Sequence, residues 1–419
     1  MSTPASGNRP KDRPKTGRDL TRSRATASAH TATAAGDVPV GTDTRVRTET
    51  TSLSFSDRLR LWWDALARPV QWAIAVPLLI VIGLSPAWAP GFLQTQTYDL
   101  GTVLAQFGQY ALIAIGLNVV VGQTGLLDLG YVGFFAVGAY TVALVTAPSS
   151  PLNLQWSWLA AVPIAILITS VSGLILGSPT LRLRGDYLAI VTLGFGEIVR
   201  LLLQNLRTLT GGGGGMNNLA FPIWFTSSSD QYGKFSIVNY KQPFTAGTWW
   251  FWLAIILIAA ILMLVGNLER SRVGRAWVAI REDEDAAEIM GVPTFKFKLW
   301  AFVIGAAIGG LSGAIYAGQV QSIVPDNFNV VNSMLFLCAV ILGGSGNKLG
   351  VILGAFVIVY LPARFAALAD YRYLIFGVAL MILMIFRPQG LVPVRQKLLA
   401  ASRKIYQAAR RQREQEVSP

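Results

Sequence analysis

The chain has little of what soluble enzymes use. Among its 419 residues there is one cysteine and one histidine, and only 14% are charged, against roughly 25% in ordinary soluble domains. A single cysteine, Cys338, excludes a disulfide framework, and its apolar neighbours mark it as a packing residue. His30 lies in a polar N-terminal stretch, so no His-based metal cluster and no Ser-His or Cys-His catalytic arrangement can be assembled. No glycine cluster ends in the Gly-Lys-Ser/Thr of a phosphate-binding loop, and no stretch has the make-up of a soluble nucleotide-binding domain. No pair of carboxylates flanks a plausible reaction centre. The expectation is a protein without enzymatic activity that binds no cofactor directly; if ATP drives it, another polypeptide hydrolyses it.

What the chain has in abundance is apolar sequence, 53% of its residues, with a mean hydropathy of +0.48. That composition predicts an all-α polytopic membrane protein. The net charge of +13 does not point to nucleic acid, because the basic residues gather in the N-terminal stretch, the short loops and the C-terminus, as they do at cytoplasmic membrane flanks. A hydrocarbon core of about 30 Å takes about 20 helical residues to cross. Ten apolar stretches approach that length, near 71–90, 102–121, 129–147, 157–178, 187–205, 249–267, 299–319, 330–344, 348–366 and 371–387. The eighth is short, and a tilted span, a broken helix or a re-entrant segment all accommodate it. About ten transmembrane or partly spanning helices are therefore expected.

Around this body, residues 1–55 read as a disordered cytoplasmic tail rather than a standard signal peptide. Seven Arg and Lys residues fall within its first 24 and are available to anionic membrane lipid. Residues 56–70, with Leu59, Leu61, Trp62 and Trp63, read as an interfacial lead-in, 71–390 as the transmembrane domain, and 391–419 as a basic cytoplasmic tail. A cytoplasmic N-terminus followed by ten crossings puts three basic features on the cytoplasmic side: Leu181 to Arg184, the stretch 267–298, and the tail after Arg387. It puts 149–156 and 206–248 outside.

Glycine breaks the spans. Gly116, Gly122, Gly125, Gly130, Gly133 and Gly138 recur through the second and third, and Gly305, Gly309, Gly310 and Gly313 line the seventh. Such residues let helix backbones approach closely in lipid, and some free backbone groups for a solute or for gating. Gly211 to Gly215 excludes a helix interior, and Gly343-Gly344-Ser345-Gly346-Asn347 reads as a turn between two spans.

Polar groups at membrane depth mark a candidate translocation path. Asp128 interrupts the junction of the second and third spans, and a lone carboxylate there costs roughly 2.5–3.5 kcal/mol on insertion scales. Glu197 and Arg200 are three residues apart and can pair on one helix face, as structural glue or as part of the path. Asn118, Gln123, Thr124, Tyr187, Thr192 and Gln204 add neutral hydrogen-bonding groups, and Asp186 is placed to cap the fifth span.

The longest strongly polar stretch within the apolar body runs from Asn267 to Lys298. Val273, Trp277 and Ile280 follow helical spacing, and Ala286, Ala287, Ile289 and Met290 make a second small apolar patch before Gly291, a helix terminator. Between them Arg281, Glu282, Asp283, Glu284 and Asp285 form a knot of charge. An ordinary charged loop and a docking element with an apolar strip both fit this composition.

Four blocks in this order resemble the LivM branch of the LivH/LivM family, the membrane permease subunits of bacterial branched-chain amino acid ABC importers. They are Gly116–Tyr140, Leu181–Arg200, Ser271–Val292 and Ile341–Ala355, followed by Phe-Arg-Pro-Gln-Gly-Leu at 386–391. The resemblance covers roughly residues 70 to 395. It implies a heteromeric importer of leucine, isoleucine and valine in the bacterial inner membrane, with both termini cytoplasmic. This subunit would join a related second permease, two cytoplasmic ATPase subunits and an extracytoplasmic solute-binding protein. Related urea permeases share much of the pattern. The family's coupling element maps onto Ser271–Val292, with Gly274, Ala279, Arg281, Glu282, Asp283, Ala286, Ala287 and Gly291 as the matching positions; Trp277 and Glu284 lie within it. An ATP-independent channel or secondary transporter, and a structural membrane scaffold, are the competing classes.

Overall fold

A helix in lipid satisfies its own backbone, so long apolar stretches fold as helices and the informative places are where they stop. The computed structural model describes residues 99–183, 185–217, 219, 246–365, 371–386 and 390–391. The tail 1–55, the lead-in 56–70, the first expected span at 71–90 and the tail from 392 lie outside the described residues. All described residues belong to one unit, 62–419.

Twelve α-helices are present among them. α1 is Leu100–Leu117, continued by a π-helical turn at Asn118–Gln123; α2 is Tyr131–Thr146, α3 Trp158–Thr180, α4 Asp186–Asn205 and α5 the single turn Arg207–Thr210. α6 is Ala246–Arg270, α7 Arg272–Glu282, α8 Glu284–Ile289, α9 Thr294–Val320, α10 Val330–Gly343, α11 Lys348–Arg364 and α12 Arg372–Phe386. Among the described residues five stretches are long and apolar enough to cross a membrane: Leu100–Gln123, Trp158–Thr180, Tyr187–Asn205, Gly247–Arg270 and Thr294–Val320. The fold is all-α and polytopic. Two short strands, β1 Met216–Asn217 and β2 Ser322–Ile323, pair antiparallel, Met216 opposite Ile323.

The nine expected spans within the described region each coincide with a helix. α10 has 14 residues, about 21 Å at the helical rise, well short of the hydrocarbon core. It is preceded by a 3-10 turn, Pro325–Phe328, which interrupts the helical run there. α6 and α9 extend beyond the expected 249–267 and 299–319; in the added turns Glu269 and Lys298 are paired with Lys348 and Glu284, while Arg270 and Lys296 are exposed. Asp186 is the first residue of α4 and not its cap; Gly185, at φ +61°, holds that position.

Contacts sort the molecule into two ends. At one, called here the sheet end, the start of α6 meets the start of α1 at Gly247, Trp158 Nε1 donates to Ala314 O (2.9 Å), and the two strands pair. At the other, the charged end, lie the π turn, α7, α8 and the Gly343–Asn347 turn. α9 is the central helix, packed chiefly on α2, α3 and α1. Its glycines explain the closeness. A Cβ at Gly138 would sit 2.5 Å from Gly310 Cα, and one at Gly310 would strike the Thr169 side chain. Hydrogen bonds cross the same seams, Tyr131 Oη to Gly305 O (2.7 Å) and Ser312 Oγ to Gln109 O (3.1 Å).

Gly138→Val must push α2 off α9, whereas Gly377 in α12 has nothing within 4 Å of a Cβ. Gly138→Val is expected to cost about 2–3 kcal/mol and Gly377→Ala less than about 0.5. Thermal unfolding of the detergent-solubilised chain checks this; equal midpoints for the two variants would show that the α2–α9 contact does not hold the bundle.

Candidate functional site

The charged end is built from short, well-capped pieces. Ser271 Oγ accepts from Val273 N (3.1 Å) and starts α7. Asp283 ends α7 and begins α8, its carboxylate accepting from Ala286 N (3.0 Å). Gly291, at φ +85°, closes α8 with Gly291 N to Glu288 O (2.9 Å) and Val292 N to Ala287 O (3.0 Å), the paired bonds of a Schellman stop. Gly274 lies in the first turn of α7, packed on the end of α6, where a Cβ would meet Glu269 Cα at 2.5 Å.

This hairpin of short helices does not stand free. Trp277 is fully buried and donates from Nε1 to Phe297 O (2.8 Å), and Ile280 is buried beside it. The strip Val273–Trp277–Ile280, expected to be offered for docking, is turned onto the protein's own body. The second patch divides: Ala287 is buried, while Ile289 and Met290 are 86% and 83% exposed. Arg281, Glu282, Asp283, Ala286 and Gly291 are exposed, Ala279 and Glu284 half-buried, and Gly274 buried.

Three stitches fix the hairpin and its surroundings. Lys298 Nζ, 3% exposed, meets Glu284 Oε1 at 2.5 Å. Arg281 Nη1 donates to Gly122 O in the π turn, and Gly125, at φ +75°, lets the Arg281 side chain lie against it. Glu269 accepts from Gln123 Nε2 and pairs with Lys348 Nζ (2.6 Å) at the start of α11. Asn118 completes the node, its Oδ1 accepting from Gly346 N (2.7 Å). A Cβ on Gly122 would lie 2.5 Å from Gly346 N, so glycine is required where the π turn meets the Gly343–Asn347 turn. Glu269, Lys298 and Lys348 were not singled out by sequence; lone charges beside apolar runs are the signal that could have found them.

The residues of the candidate path fall into separate groups. Asn118 and Gln123 belong to the π turn at the charged end, and Thr124 caps it. Asp128, 1% exposed, and Thr192, fully buried, meet deeper in. Asp128 Oδ1 accepts from Gly130 N (2.9 Å), Leu129 N donates to Thr192 Oγ1 (3.1 Å), and Asp128 Oδ2 has no hydrogen-bond partner among the described residues. Glu197 and Arg200 do pair (2.5 Å), and Arg200 Nη1 also reaches Asp326 Oδ1 (3.1 Å), which accepts from Gln204 Nε2 (2.9 Å). That triad ties α4 to the 3-10 turn before α10. Tyr187 is 72% exposed on the opposite flank of α4 from Thr192. No group of three or more His, Cys, Asp or Glu suited to a metal occurs among the described residues.

Because Lys298 is buried and Glu284 is not, the two halves of their pair are unequal. Glu284→Ala strands a buried ammonium and is expected to cost about 3 kcal/mol, whereas Lys298→Met removes the charge with its desolvation and is expected to cost less than half of that. Proteolysis rates across α7–α8 in the purified chain measure the difference; equal sensitivity of both variants would show the pair to be solvated.

The family described as "Branched-chain amino acid transport system / permease component" matches residues 100–385. The high-affinity branched-chain amino acid transport system permease protein LivM of Escherichia coli is 38% identical over 329 residues, covering 76% of this chain and 74% of its own. A probable LivM of Methanocaldococcus jannaschii is 24% identical over 341 residues, 70% of this chain and 93% of its own. The corresponding LivH of Salmonella typhimurium is 26% identical over 288 residues, 68% and 91%. No solved structure matches.

Proposed function

Because the chain belongs to the branched-chain amino acid permease family, we propose that it carries leucine, isoleucine and valine into the cell as one of two related permease chains in the inner membrane. Two ATPase subunits supply the energy at the charged end, and an extracytoplasmic solute-binding protein delivers the solute at the sheet end. The observation that carries this assignment is the exposed pair Ile289 and Met290, on a helix capped at both ends and held by Lys298 to the central helix α9. Two large apolar side chains in a ring of charge, with no function in the chain's own core, suit the groove of a soluble partner. The relatives' names favour branched-chain amino acids over urea.

The charged end then lies in the cytoplasm. α1, α3, α6, α10 and α12 run toward it and α2, α4, α9 and α11 away, which agrees with the alternation expected from the basic loops. On this reading both termini are cytoplasmic, with 1–55 and 391–419 as tails. Movement of α7–α8 reaches the membrane helices by three links, Trp277 and Glu284 to α9 and Arg281 to the π turn of α1. Asn118, Gln123, Thr124, Asp128, Tyr187, Thr192, Glu197 and Arg200 are the side chains from which the passage is drawn.

In vesicles reconstituted with all partners, labelled leucine and valine are expected to enter only with internal ATP, and urea not at all. Urea uptake, or amino acid uptake indifferent to ATP, would sink the assignment. Ile289→Asp with Met290→Asp is expected to lower ATPase co-purification at least about ten-fold, a loss of roughly 1.4 kcal/mol or more. Arg281→Ala is expected to leave co-purification intact while lowering uptake per ATP hydrolysed, since Arg281 contacts the π turn. Undiminished co-purification of the double variant would move the docking site elsewhere.

A further inference from the structure

Several helices expose apolar faces, and they are not alike. α3 exposes Leu167, Val171 and Ile175 and contains no charged residue; α12 exposes Leu374, Val378 and Ile385 and carries charge only at its first residue, Arg372. Both suit hydrocarbon. α4 differs. It exposes Ile190, Ile198 and Leu201, yet Glu197 and Arg200 remain 34% and 20% exposed in the same helix. Glu197 is the twelfth residue of α4, about 17 Å along it at the helical rise, so its carboxylate sits near the middle of the span, with Arg200 about one turn further toward the sheet end. Lipid does not accommodate them there; protein or a protein-lined passage does.

A second observation on this helix points the same way. Among the described residues nothing lies within 4 Å of where a Cβ on Gly194 would stand, so packing among them gives no reason for a glycine. By contrast Gly196, two residues on, is buried against Gly130. With Ile190 and Ile198 one turn to either side, Gly194 leaves a notch in an otherwise bulky face. Close approach of a neighbouring membrane helix uses such a notch.

We propose that this outward face of α4 is the seat of the second permease chain, with Ile190 and Ile198 flanking a helix of the partner at Gly194. The Glu197–Arg200–Asp326 triad then lines the seam between the two chains. The proposal rests on the paired-permease assembly of the preceding section. The occupant must be a membrane helix because the notch lies at mid-span, out of reach of soluble subunits. The chain's similarity to both LivM and LivH, over 329 and 288 residues, supplies a partner of matching height.

The test uses the full complex, purified through a tag on this chain. Gly194→Leu is expected to lower the recovered second permease at least ten-fold, while Gly377→Leu, which fills an equally open position on α12, leaves recovery unchanged. A photo-crosslinking residue at Ile198 is expected to give an adduct with the second permease, and one at Val378 to give none. The crosslink requires no loss of fold, so it decides the matter if Gly194→Leu fails to accumulate. A complex that contains the second permease but gives no adduct from Ile198 overturns the placement, as does an adduct with another copy of this chain. Absence of any second permease from the wild-type complex overturns the paired assembly itself, and the placement with it.

Discussion

In hydrocarbon a peptide group that leaves its helix has no water to turn to, and the structure is organised by where such groups find protein instead. Each break in the spans comes with its own partner. At the π turn the freed Gly122 carbonyl takes the Arg281 guanidinium. Where the chain runs irregularly from Thr124 to Gly130, Asp128 bonds Gly130 N, Thr192 receives Leu129 N, and Ser333 Oγ donates to Leu129 O (2.5 Å). The Gly343–Asn347 turn is held by Asn118 and by the caps that Asn347 offers to α11. At these breaks a polar side chain supplies the partner that the interrupted helix no longer provides.

The same constraint explains the economy of charge. Lys298 in α9, Lys348 at the head of α11 and Glu269 near the end of α6 are each paired across elements. Removed from water, an ion needs a partner within reach, and a partner on another element fixes the two elements to each other. Glycine acts as the complement, letting the elements approach closely enough to be joined. The result is a central helix, α9, packed through glycine at its middle and stitched through Lys298 at its charged end.

Much of this was legible in the sequence because apolar length and glycine position are one-dimensional signals. The fifth span, read at 187–205, is Asp186–Asn205, and the eighth, read at 330–344, is Val330–Gly343. Gly291 was read as a helix terminator and adopts the left-handed conformation that a stop needs. The π turn was not legible, since π and α segments share composition and differ only in which carbonyl each amide reaches. Nor was the destination of the Val273–Trp277–Ile280 strip: an amphipathic period says that a face is covered, not by what. Trp277 is covered from within the chain, by the first turns of α9. Pairings between distant residues, Arg281 with Gly122 or Arg200 with Asp326, leave no trace in spacing and required the fold.

The inward-facing strip changes how the hairpin can work. A docking element bound only through its partner would need no rigid link to its own body, and a push on it would be absorbed by a loose loop. Here α7 is anchored by a buried tryptophan, α8 by an ion pair to a nearly inaccessible lysine, and Arg281 reaches the π turn directly. Packed elements joined in this way shift between discrete arrangements rather than bending. A π turn is a place where a helix can change register at the cost of few hydrogen bonds. Under the proposed assembly, displacement at Ile289 and Met290 is therefore delivered to α1 at the one segment of it that is not α-helical, and the neighbouring Gly343–Asn347 turn moves with it through Asn118.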